Sequence, residues 1–494
     1  MNIKKINEQV SPPVFWGANL FIFILILFTI SFGDSFVSSV SVLEKKFLEH
    51  FGWAYIVPII LLFFLICKNL YYFSNLKIGG KDAEVEFSNL AWISMLFSAG
   101  LGIGLLYSGT YEPLAYYFNA PQIQHLGNGE KFISALNIAY FHWGVPAWLI
   151  YSSAGLMMAF AGFGEKKSFL FSSYAPFKNK WGHHIVNILA IVSILLGVVT
   201  AFALGVKQIN TGVNIVFPSV SVNKVSQAFL IGLITVVATA SVLSGLKKGI
   251  KILSLLNMGL AFLIFLLVFA YISTSTFFNI YIEAIGYHIS HLIETLTYTA
   301  AMEGKKWIGD WTMLYWAWWA SWAPFVGMFI ARISKGRTIR EFFIGTIMAP
   351  SLVCSVWITV FAVFGYAKQN EGVIDFKDII LNSPQESLFE IINATHFPAL
   401  FSILAVLCII VFYITSSDSG SYVVDMIASG GRLAPHPYLK IYWSVVEGSL
   451  ALVLIYYGGI EFIKSLVILA SLPILLYICY GTYKLSCSLG KEQG

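Results

Sequence analysis

The tryptophans of one apolar segment have the type and spacing that could bind a cation. Residues 311–340 contain Trp316, Trp318, Trp319 and Trp322. Indole normally gathers at the membrane–water interface, where its N–H stays hydrated, so tryptophans near the middle of a span indicate a protein-lined cavity. A cavity walled by indole rings suits a cation too alkylated to donate hydrogen bonds, which cation–π attraction would hold.

A second group of aromatic residues precedes this segment in the chain. Trp148 and Tyr151 are three residues apart and share one face of a helix. Trp143 lies five residues before Trp148, so Gly144 and Pro146 must distort the helix to bring all three rings together. Taken alone, such aromatics more often pack a core. Together with the first group, they favour a shared aromatic box.

Hydroxyl side chains are dense in residues 412–420, where Thr415 and Ser416 precede Asp418. Hydroxyl and carbonyl oxygens are hard ligands that suit a small hard cation, here sodium. The common alternative is that each hydroxyl bonds back to a carbonyl of its own helix. Asp418 is a functional candidate because it is ionisable and lies in a span. It could instead pair with Lys207 or lie near an aqueous end of its helix.

Glycine spacing predicts two places where a membrane helix is interrupted. The first contains Gly100, Gly102 and Gly104, and the second is the Pro324–Gly327 region of the tryptophan-rich segment. Glycines allow close helix packing, which is the alternative. Glycine at every second position does not stay on one helix face, however, and unwinding would free N–H groups for an anionic group and carbonyls for a cation. The three glycines are therefore predicted to bind substrate.

Composition identifies a polytopic membrane protein. The 494 residues are 58% hydrophobic and 11% charged, whereas soluble domains carry about 25% charged residues. The net charge of +5 sits in short loops, so it indicates membrane topology and excludes a nucleic-acid footprint. About twelve apolar segments are long enough to cross a bilayer: 15–34, 53–74, 89–117, 133–162, 184–215, 225–244, 251–274, 311–333, 341–366, 396–428, 438–458 and 462–484.

Loop charges predict the orientation of these spans. Lysine and arginine occur in every second loop, as at Lys166 and Lys247, and the alternate loops are neutral or acidic. The positive-inside rule then places both termini in the cytoplasm of a cell inner or plasma membrane. Residues 275–302 have apolar positions at helical spacing, which predicts an amphipathic helix on the outer surface that braces the bundle.

These segments resemble the betaine/choline/carnitine transporter family. The resemblance covers nearly the whole chain and depends most on residues 311–340, supported by 142–151, 100–104 and 415–419. It implies an all-α polytopic membrane protein with the leucine-transporter-type fold, in which two inverted five-helix repeats follow two extra helices. It also implies alternating access and a homotrimer.

The resemblance implies residues for the substrate and for sodium. The family's aromatic box and the pathway beside it fall on six positions: Trp143, Trp148, Tyr151, Trp319, Trp318 and Trp322. One sodium site of the family falls on the carbonyls of Ser98, Leu101 and Phe412 and the side-chain oxygens of Thr415 and Ser416. No cofactor is expected besides sodium as the coupling ion.

Departures from the family pattern bear on coupling and substrate. A second sodium site uses two threonines at positions that are Ile194 and Val198 here, and neither supplies an oxygen. Sodium-independent carnitine exchangers carry an arginine where this chain has Asn257. Proton-coupled choline carriers tend to carry an aspartate at the position of Gly104, so glycine there favours a zwitterion such as betaine, whose carboxylate prefers bare N–H groups. The chain ends about ten residues after the last span, so osmosensing by a long tail is not expected.

The sequence thus predicts a sodium-driven symporter that imports glycine betaine or a related quaternary-ammonium zwitterion. The nearest alternative is a proton-coupled choline or carnitine transporter or exchanger of the same family. An ion channel, a membrane enzyme and a non-transporting receptor are the alternatives from other classes. The predicted division of the chain is two extra helices in 1–88, repeats in 89–274 and 311–484, a helix and linker in 275–310, and a tail in 485–494.

Overall fold

The computed structural model of the protein describes residues 6–100, 102–165, 168–244, 249–302, 304–432 and 436–493. Within these residues the secondary structure is helical, with one isolated β-bridge between Lys77 and Thr338. The predicted class, an all-helical polytopic membrane protein, is confirmed.

The helices are numbered in chain order. The first nine are α1 (Pro12–Phe51), α2 (Trp53–Phe73), α3 (Asn89–Gly100), α4 (Ile103–Asn119), α5 (Asn128–Trp143), α6 (Val145–Ala159), α7 (Lys180–Val216), α8 (Lys224–Ser244) and α9 (Gly249–Phe269). The others are α10 (Thr274–Thr297), α11 (Leu314–Ile333), α12 (Ile339–Phe343), α13 (Ala349–Asn370), α14 (Phe376–Asn382), α15 (Ser387–Asn393), α16 (Pro398–Ala428), α17 (Pro437–Val453) and α18 (Gly459–Gln493). Short helical turns occupy Pro121–Ile123, Phe160–Gly164, Phe171–Tyr174, Lys306–Ile308, Gly309–Met313, Ile344–Met348, Pro384–Glu386 and Leu454–Gly458.

Fewer spans are continuous and apolar than the sequence predicted. In the described residues 8 helices are long and apolar enough to cross a membrane, or 9 if the bent pair α9–α10 counts as one span. Three features account for the difference from about twelve. The third predicted span is divided into α3 and α4, the tryptophan-rich α11 is less apolar, and the last two predicted spans form one helical stretch, Pro437–Gly490.

Helix α7 forms the centre of the bundle. Its 37 residues extend about 55 Å, at 1.5 Å per residue, which exceeds the ~30 Å hydrocarbon core of a bilayer. Asn179 caps its start by accepting the N–H of Gly182 at 2.9 Å. The helix packs against α1, α4, α11, α16 and α18. Because 83% of its most apolar stretch is buried, this span faces protein rather than lipid.

Helices α6 and α11 pack closely against each other. A Cβ atom added to Gly327 would lie 2.8 Å from Cβ of Ala154, and one added to Gly155 would lie 2.9 Å from Cγ2 of Ile330. Only small residues permit such an approach in a membrane bundle. This contact holds the tryptophans of α11 beside the aromatic residues of α6.

One of the two predicted interruptions is found and the other is absent. Helix α4 starts anew after Gly102 (φ −131°, ψ −139°), as the sequence predicted. Gly144 (φ −102°, ψ −136°) separates α5 from α6, where the sequence predicted a distortion by Gly144 and Pro146. The break predicted around Pro324 is wrong, because α11 is continuous through this proline. A proline inside a helix removes one hydrogen bond, which bends the helix without necessarily ending it.

Helix α10 confirms the amphipathic helix predicted over 275–302. It turns by 107° from α9 and buries Phe277, Ala284, His288 and Leu296 along one face. The imidazole Nδ1 of His288 lies 2.7 Å from Oδ1 of Asn137 in α5. These contacts agree with a bracing role.

A loop clasp joins α3 to the end of α11. It consists of Ile78, Asn89, Trp92, Ser334 and Arg337. The N–H of Ile78 donates to the carbonyl of Arg337 at 2.9 Å, and the guanidinium of Arg337 lies 4.5 Å from the Trp92 ring centroid and donates to the Asn89 side chain. The Trp92 indole donates to Oγ of Ser334 at 3.0 Å. The clasp fastens the two helices at one end of the bundle.

Candidate functional site: an aromatic cage

Four aromatic rings from α5, α6 and α11 meet in the bundle interior. The ring centroid of Trp319 lies 5.0 Å from that of Trp143 and 5.8 Å from that of Tyr151. Tyr151 in turn lies 5.5 Å from Trp148. All three pairs are edge-on, with interplanar angles of 77–79°. The structure therefore brings together the four residues of the predicted aromatic box, with Trp319 at the centre.

The break at Gly144 also fixes the orientation of the rings. The indole of Trp319 donates to the carbonyl of His142 at 2.9 Å, and the indole of Trp148 donates to the carbonyl of Trp143 at 3.2 Å. In a continuous helix the N–H four residues later would occupy the His142 carbonyl, but that residue is Pro146, which has no N–H. Carbonyls left free by the end of α5 thus anchor two rings of the cage.

Trp318 and Trp322 extend the aromatic surface toward α7. The Trp318 ring stacks on Trp319 at 5.3 Å and 11°, and its indole donates to the carbonyl of Gly197 at 3.3 Å. A Cβ atom at Gly197 would lie only 2.6 Å from Cδ1 of Trp322. Trp322 is buried, and its indole N–H has no hydrogen-bond partner.

A cavity of about 710 Å³ reaches the edge of the cage. Trp318 and Tyr315 are part of its lining, and the centroid of Tyr315 lies 5.8 Å from that of Trp319. Charged side chains of both signs also line it: Glu44, Lys45, Lys207, Lys306, Asp310, Glu461 and Lys464. The lining therefore does not present a single sign of charge.

Glu112 lies beneath the cage and was not predicted from the sequence. Its side chain is 2% exposed and accepts hydrogen bonds from the Trp143 indole at 2.9 Å, from the Tyr116 hydroxyl at 3.1 Å and from the Tyr315 hydroxyl. It also borders the cavity. A glutamate in the middle of an apolar span was the signal in the sequence, because an ionisable residue in a span is a functional candidate.

His142 continues this polar network. Its Nδ1 lies 2.9 Å from the Tyr116 hydroxyl, and its Nε2 lies 3.0 Å from Oγ1 of Thr312. The imidazole also stacks on Tyr315 at 4.7 Å and 10°. Both ring nitrogens are therefore engaged, and His142 connects α4, α5 and the start of the tryptophan-rich segment.

Gly104, near the start of α4, touches the cage. A Cβ atom there would lie 2.8 Å from Cη2 of Trp143 and 3.1 Å from Cη2 of Trp318. A larger side chain at this position would therefore displace one of the two rings.

We expect Gly104→Ala to weaken substrate affinity at least about tenfold. Displacement of either ring that costs ~1.4 kcal/mol of binding free energy would have that effect. Measurement of KM for uptake checks this. Gly232→Ala is the matched control, because no atom lies within 4 Å of its added Cβ, and an unchanged KM in Gly104→Ala would contradict the contact.

Two of the predicted sodium ligands, Phe412 and Ser416, lie next to the break between α3 and α4. A Cβ atom added to Gly102 would lie 3.6 Å from Oγ of Ser416 and 3.9 Å from Cδ1 of Phe412. Oγ1 of Thr415 donates to the carbonyls of Val411 (2.9 Å) and Phe412 (3.1 Å), so back-bonding occurs while the oxygen lone pairs stay available. Ser98 and Gly100 belong to the last turn of α3. Leu101 lies outside the described residues.

Asp418 does not pair with Lys207. Its Oδ2 accepts a hydrogen bond from Ser241 of α8 at 2.7 Å, whereas Lys207 lines the cavity. Ile194 and Val198 are both buried in α7. The positions of the family's second sodium site therefore face protein and provide no side-chain oxygen.

Comparison with known proteins assigns the chain to a family. A family model described as betaine/carnitine/choline family transporter matches residues 13–494. The chain is 35% identical over 490 residues to the glycine betaine transporter OpuD of Bacillus subtilis (strain 168), covering 97% of this chain and 94% of that protein. It is 34% identical over 501 residues to a glycine betaine/proline/choline/ectoine transporter of Vibrio parahaemolyticus, covering 98% and 88%.

A third relative has the same extent of similarity. The chain is 33% identical over 494 residues to a glycine betaine transporter of Acinetobacter baylyi, covering 96% of this chain and 73% of that protein. The protein therefore belongs to the betaine/carnitine/choline family, whose members are membrane transporters and not enzymes.

Proposed function

We propose that the protein is a sodium-driven symporter that imports glycine betaine or a related quaternary-ammonium zwitterion by alternating access. The observation that carries the proposal is the buried cage centred on Trp319, which is built from rings of three helices. A trimethylammonium group donates no hydrogen bond and is bound by ring faces, at about 0.5–2 kcal/mol for each well-placed ring.

The start of α4 supports a zwitterionic substrate. The first N–H groups of a helix lack intrahelical partners and carry partial positive charge, so they attract a carboxylate. Helix α4 begins at Ile103, and Gly104 contacts the rings of Trp143 and Trp318. A carboxylate at Gly100, Gly102 and Gly104 would thus lie beside an ammonium group in the cage.

The same break supports coupling to sodium. In the proposal the carbonyls of Ser98, Leu101 and Phe412 and the hydroxyls of Thr415 and Ser416 bind one sodium ion. Gly102 lies at van der Waals distance from Ser416. An ion bound there would order the segment whose N–H groups face the cage, and each ligand would then increase the affinity of the other.

The proposal includes the architecture of the family. Twelve spans would form two extra helices in 1–88 and inverted five-helix repeats in 89–274 and 311–484, joined by 275–310, with both termini and the 485–494 tail in the cytoplasm. A homotrimer is proposed as well. The exposed apolar side chains of Phe278, Ile282, Ile289 and Ile293 on α10 offer a surface for a second copy.

Uptake of radiolabelled glycine betaine into proteoliposomes, with and without an inward sodium gradient, tests the function. We expect accumulation only with the gradient. Uptake that is independent of sodium and follows a proton gradient would show that the coupling ion is H⁺. Competition by unlabelled betaine, choline and carnitine ranks the substrates, and stronger competition by choline than by betaine would overturn the preference for a zwitterion.

Thr415→Ala tests the sodium site. Loss of one hydroxyl ligand should raise the sodium concentration for half-maximal uptake about tenfold, which corresponds to ~1.4 kcal/mol. The maximal rate at saturating sodium should change less. Thr297→Ala is the matched control, since this exposed threonine bonds back to Ile293 within α10, and an unmoved sodium curve in Thr415→Ala would place the ion elsewhere.

A further inference from the structure

Two carboxylates that the proposed mechanism does not use lie buried between α16, α17 and α8. Asp418 and Glu447 are each 1% exposed. Ser241 donates to Oδ2 of Asp418 at 2.7 Å, and Ser417 donates to Oε2 of Glu447 at 3.3 Å. Because Ser417 and Asp418 are adjacent in α16, the two carboxylates belong to one polar cluster.

Each carboxylate has one oxygen without a partner. Oδ1 of Asp418 and Oε1 of Glu447 are fully buried and accept no hydrogen bond. Among the residues that the structure describes, no lysine, arginine or histidine forms an ion pair with either group. An isolated carboxylate in a low-dielectric interior costs several kcal/mol, so such groups bind a cation or a proton.

Among the residues that the structure describes, the groups around the two carboxylates supply no compensating charge. The Tyr413 hydroxyl of α16 is buried without a partner. From α7 the apolar Val198 packs 3.2 Å from an added Cβ of Gly420, whose other neighbour is Oε1 of Glu447. The next ionisable groups along the two helices are Asp425, which accepts from Ser429 at 3.2 Å, and Lys440.

We propose that Asp418 and Glu447, with the hydroxyls of Ser241 and Ser417, bind one Na⁺ ion at a site separate from Thr415 and Ser416. Asp418 lies three residues, about one helical turn, beyond Thr415. A cation at the carboxylates and one at the hydroxyls would therefore lie along the same helix. The role in coupling rests on the proposed symport, whereas binding of the cation does not.

Thermal unfolding of the purified full-length protein in detergent tests binding without any substrate. Tryptophan fluorescence is followed while NaCl replaces N-methylglucamine chloride at constant ionic strength and constant pH. The variants are Asp418→Asn and Glu447→Gln, each alone and combined with Thr415→Ala. Ser421→Ala is the matched control, since Ser421 bonds back to Ser417 within α16 at 2.8 Å.

The sodium response of these variants decides whether the site binds the ion. We expect stabilisation by NaCl to survive in Thr415→Ala and to be lost when Glu447→Gln or Asp418→Asn is added. Stabilisation by NaCl that is the same in wild type, Asp418→Asn and Glu447→Gln, or that is absent from the wild type, would overturn the proposal.

A charge measurement separates this proposal from the proposed function. If betaine uptake in proteoliposomes is sodium-driven, the reversal potential gives the charges moved per betaine, and this number should fall by one in Glu447→Gln. An unchanged number would overturn the coupling role. Absence of betaine uptake in wild type would count against the proposed function alone, because cation-dependent unfolding is read without substrate. Ser417→Ala, which removes a donor to Glu447, replaces Glu447→Gln if that variant does not fold.

Discussion

Trp319→Ala should abolish high-affinity uptake while the protein still reaches the membrane. The ring contacts Trp143, Tyr151 and Trp318, so its loss removes the central wall of the cage. A desolvated cation–π contact contributes about 2 kcal/mol, and loss of ring packing adds to it. We expect KM for betaine to rise on the order of 100-fold, since each ~1.4 kcal/mol corresponds to tenfold. Initial uptake rates across betaine concentrations measure this.

Two further variants make the result specific to the cage. Trp319→Phe keeps a ring face but loses the hydrogen bond to the His142 carbonyl, so it should retain part of the affinity. Trp181→Ala removes an indole that is 67% exposed and should leave KM unchanged. Wild-type affinity in Trp319→Ala, at equal expression, would show that the substrate binds elsewhere.

Glu112→Ala should produce the second large loss. It leaves the Trp143 indole and the hydroxyls of Tyr116 and Tyr315 buried without an acceptor, at a cost of roughly 1–3 kcal/mol for each donor. We expect a lower unfolding temperature and little uptake. Glu112→Gln preserves shape, but its amide offers an oxygen to only some of the three donors and removes the negative charge near the cage. Uptake should fall at least about tenfold in this variant, with a smaller effect on stability.

Unfolding temperature and KM, measured on the same preparations, separate the two effects of Glu112. Glu44→Gln is the matched control, because Glu44 lines the same cavity but belongs to α1, which carries none of the cage rings. Glu112→Gln with wild-type KM and stability would show that neither the charge nor the acceptor matters for binding.

The cage could be predicted from the sequence because tryptophan and tyrosine are uncommon in the middle of a membrane span. Four tryptophans in one span and three aromatics around Gly144 and Pro146 were sufficient to predict that the rings meet. Glu112 was not predicted, because the type and spacing of aromatic residues do not indicate which group accepts the hydrogen bond of an indole N–H. Which oxygen accepts the Trp143 indole is a three-dimensional fact, since Glu112 and Trp143 are 31 residues apart and belong to different helices.

The interruption of a helix could be predicted at Gly102 but not at Pro324. Gly102 and Gly144 interrupt helices because each is followed by residues that begin a new helix, as Pro146 does near the start of α6. Pro324 does not interrupt α11, which packs against α6 on both sides of the proline, at Trp319 and at Gly327. Whether a proline ends or only bends a helix depends on tertiary contacts that local sequence does not contain.

The loop clasp links α3 to α11 at one end of the bundle. Separation of the two helices at that end would expose the guanidinium of Arg337 and break its contacts with Trp92 and Asn89. A tilt of one helix without the other would therefore break these contacts. If substrate binding moved Trp319 in α11, the loop clasp would couple that movement to α3 and so to Gly102, which lies beside Ser416.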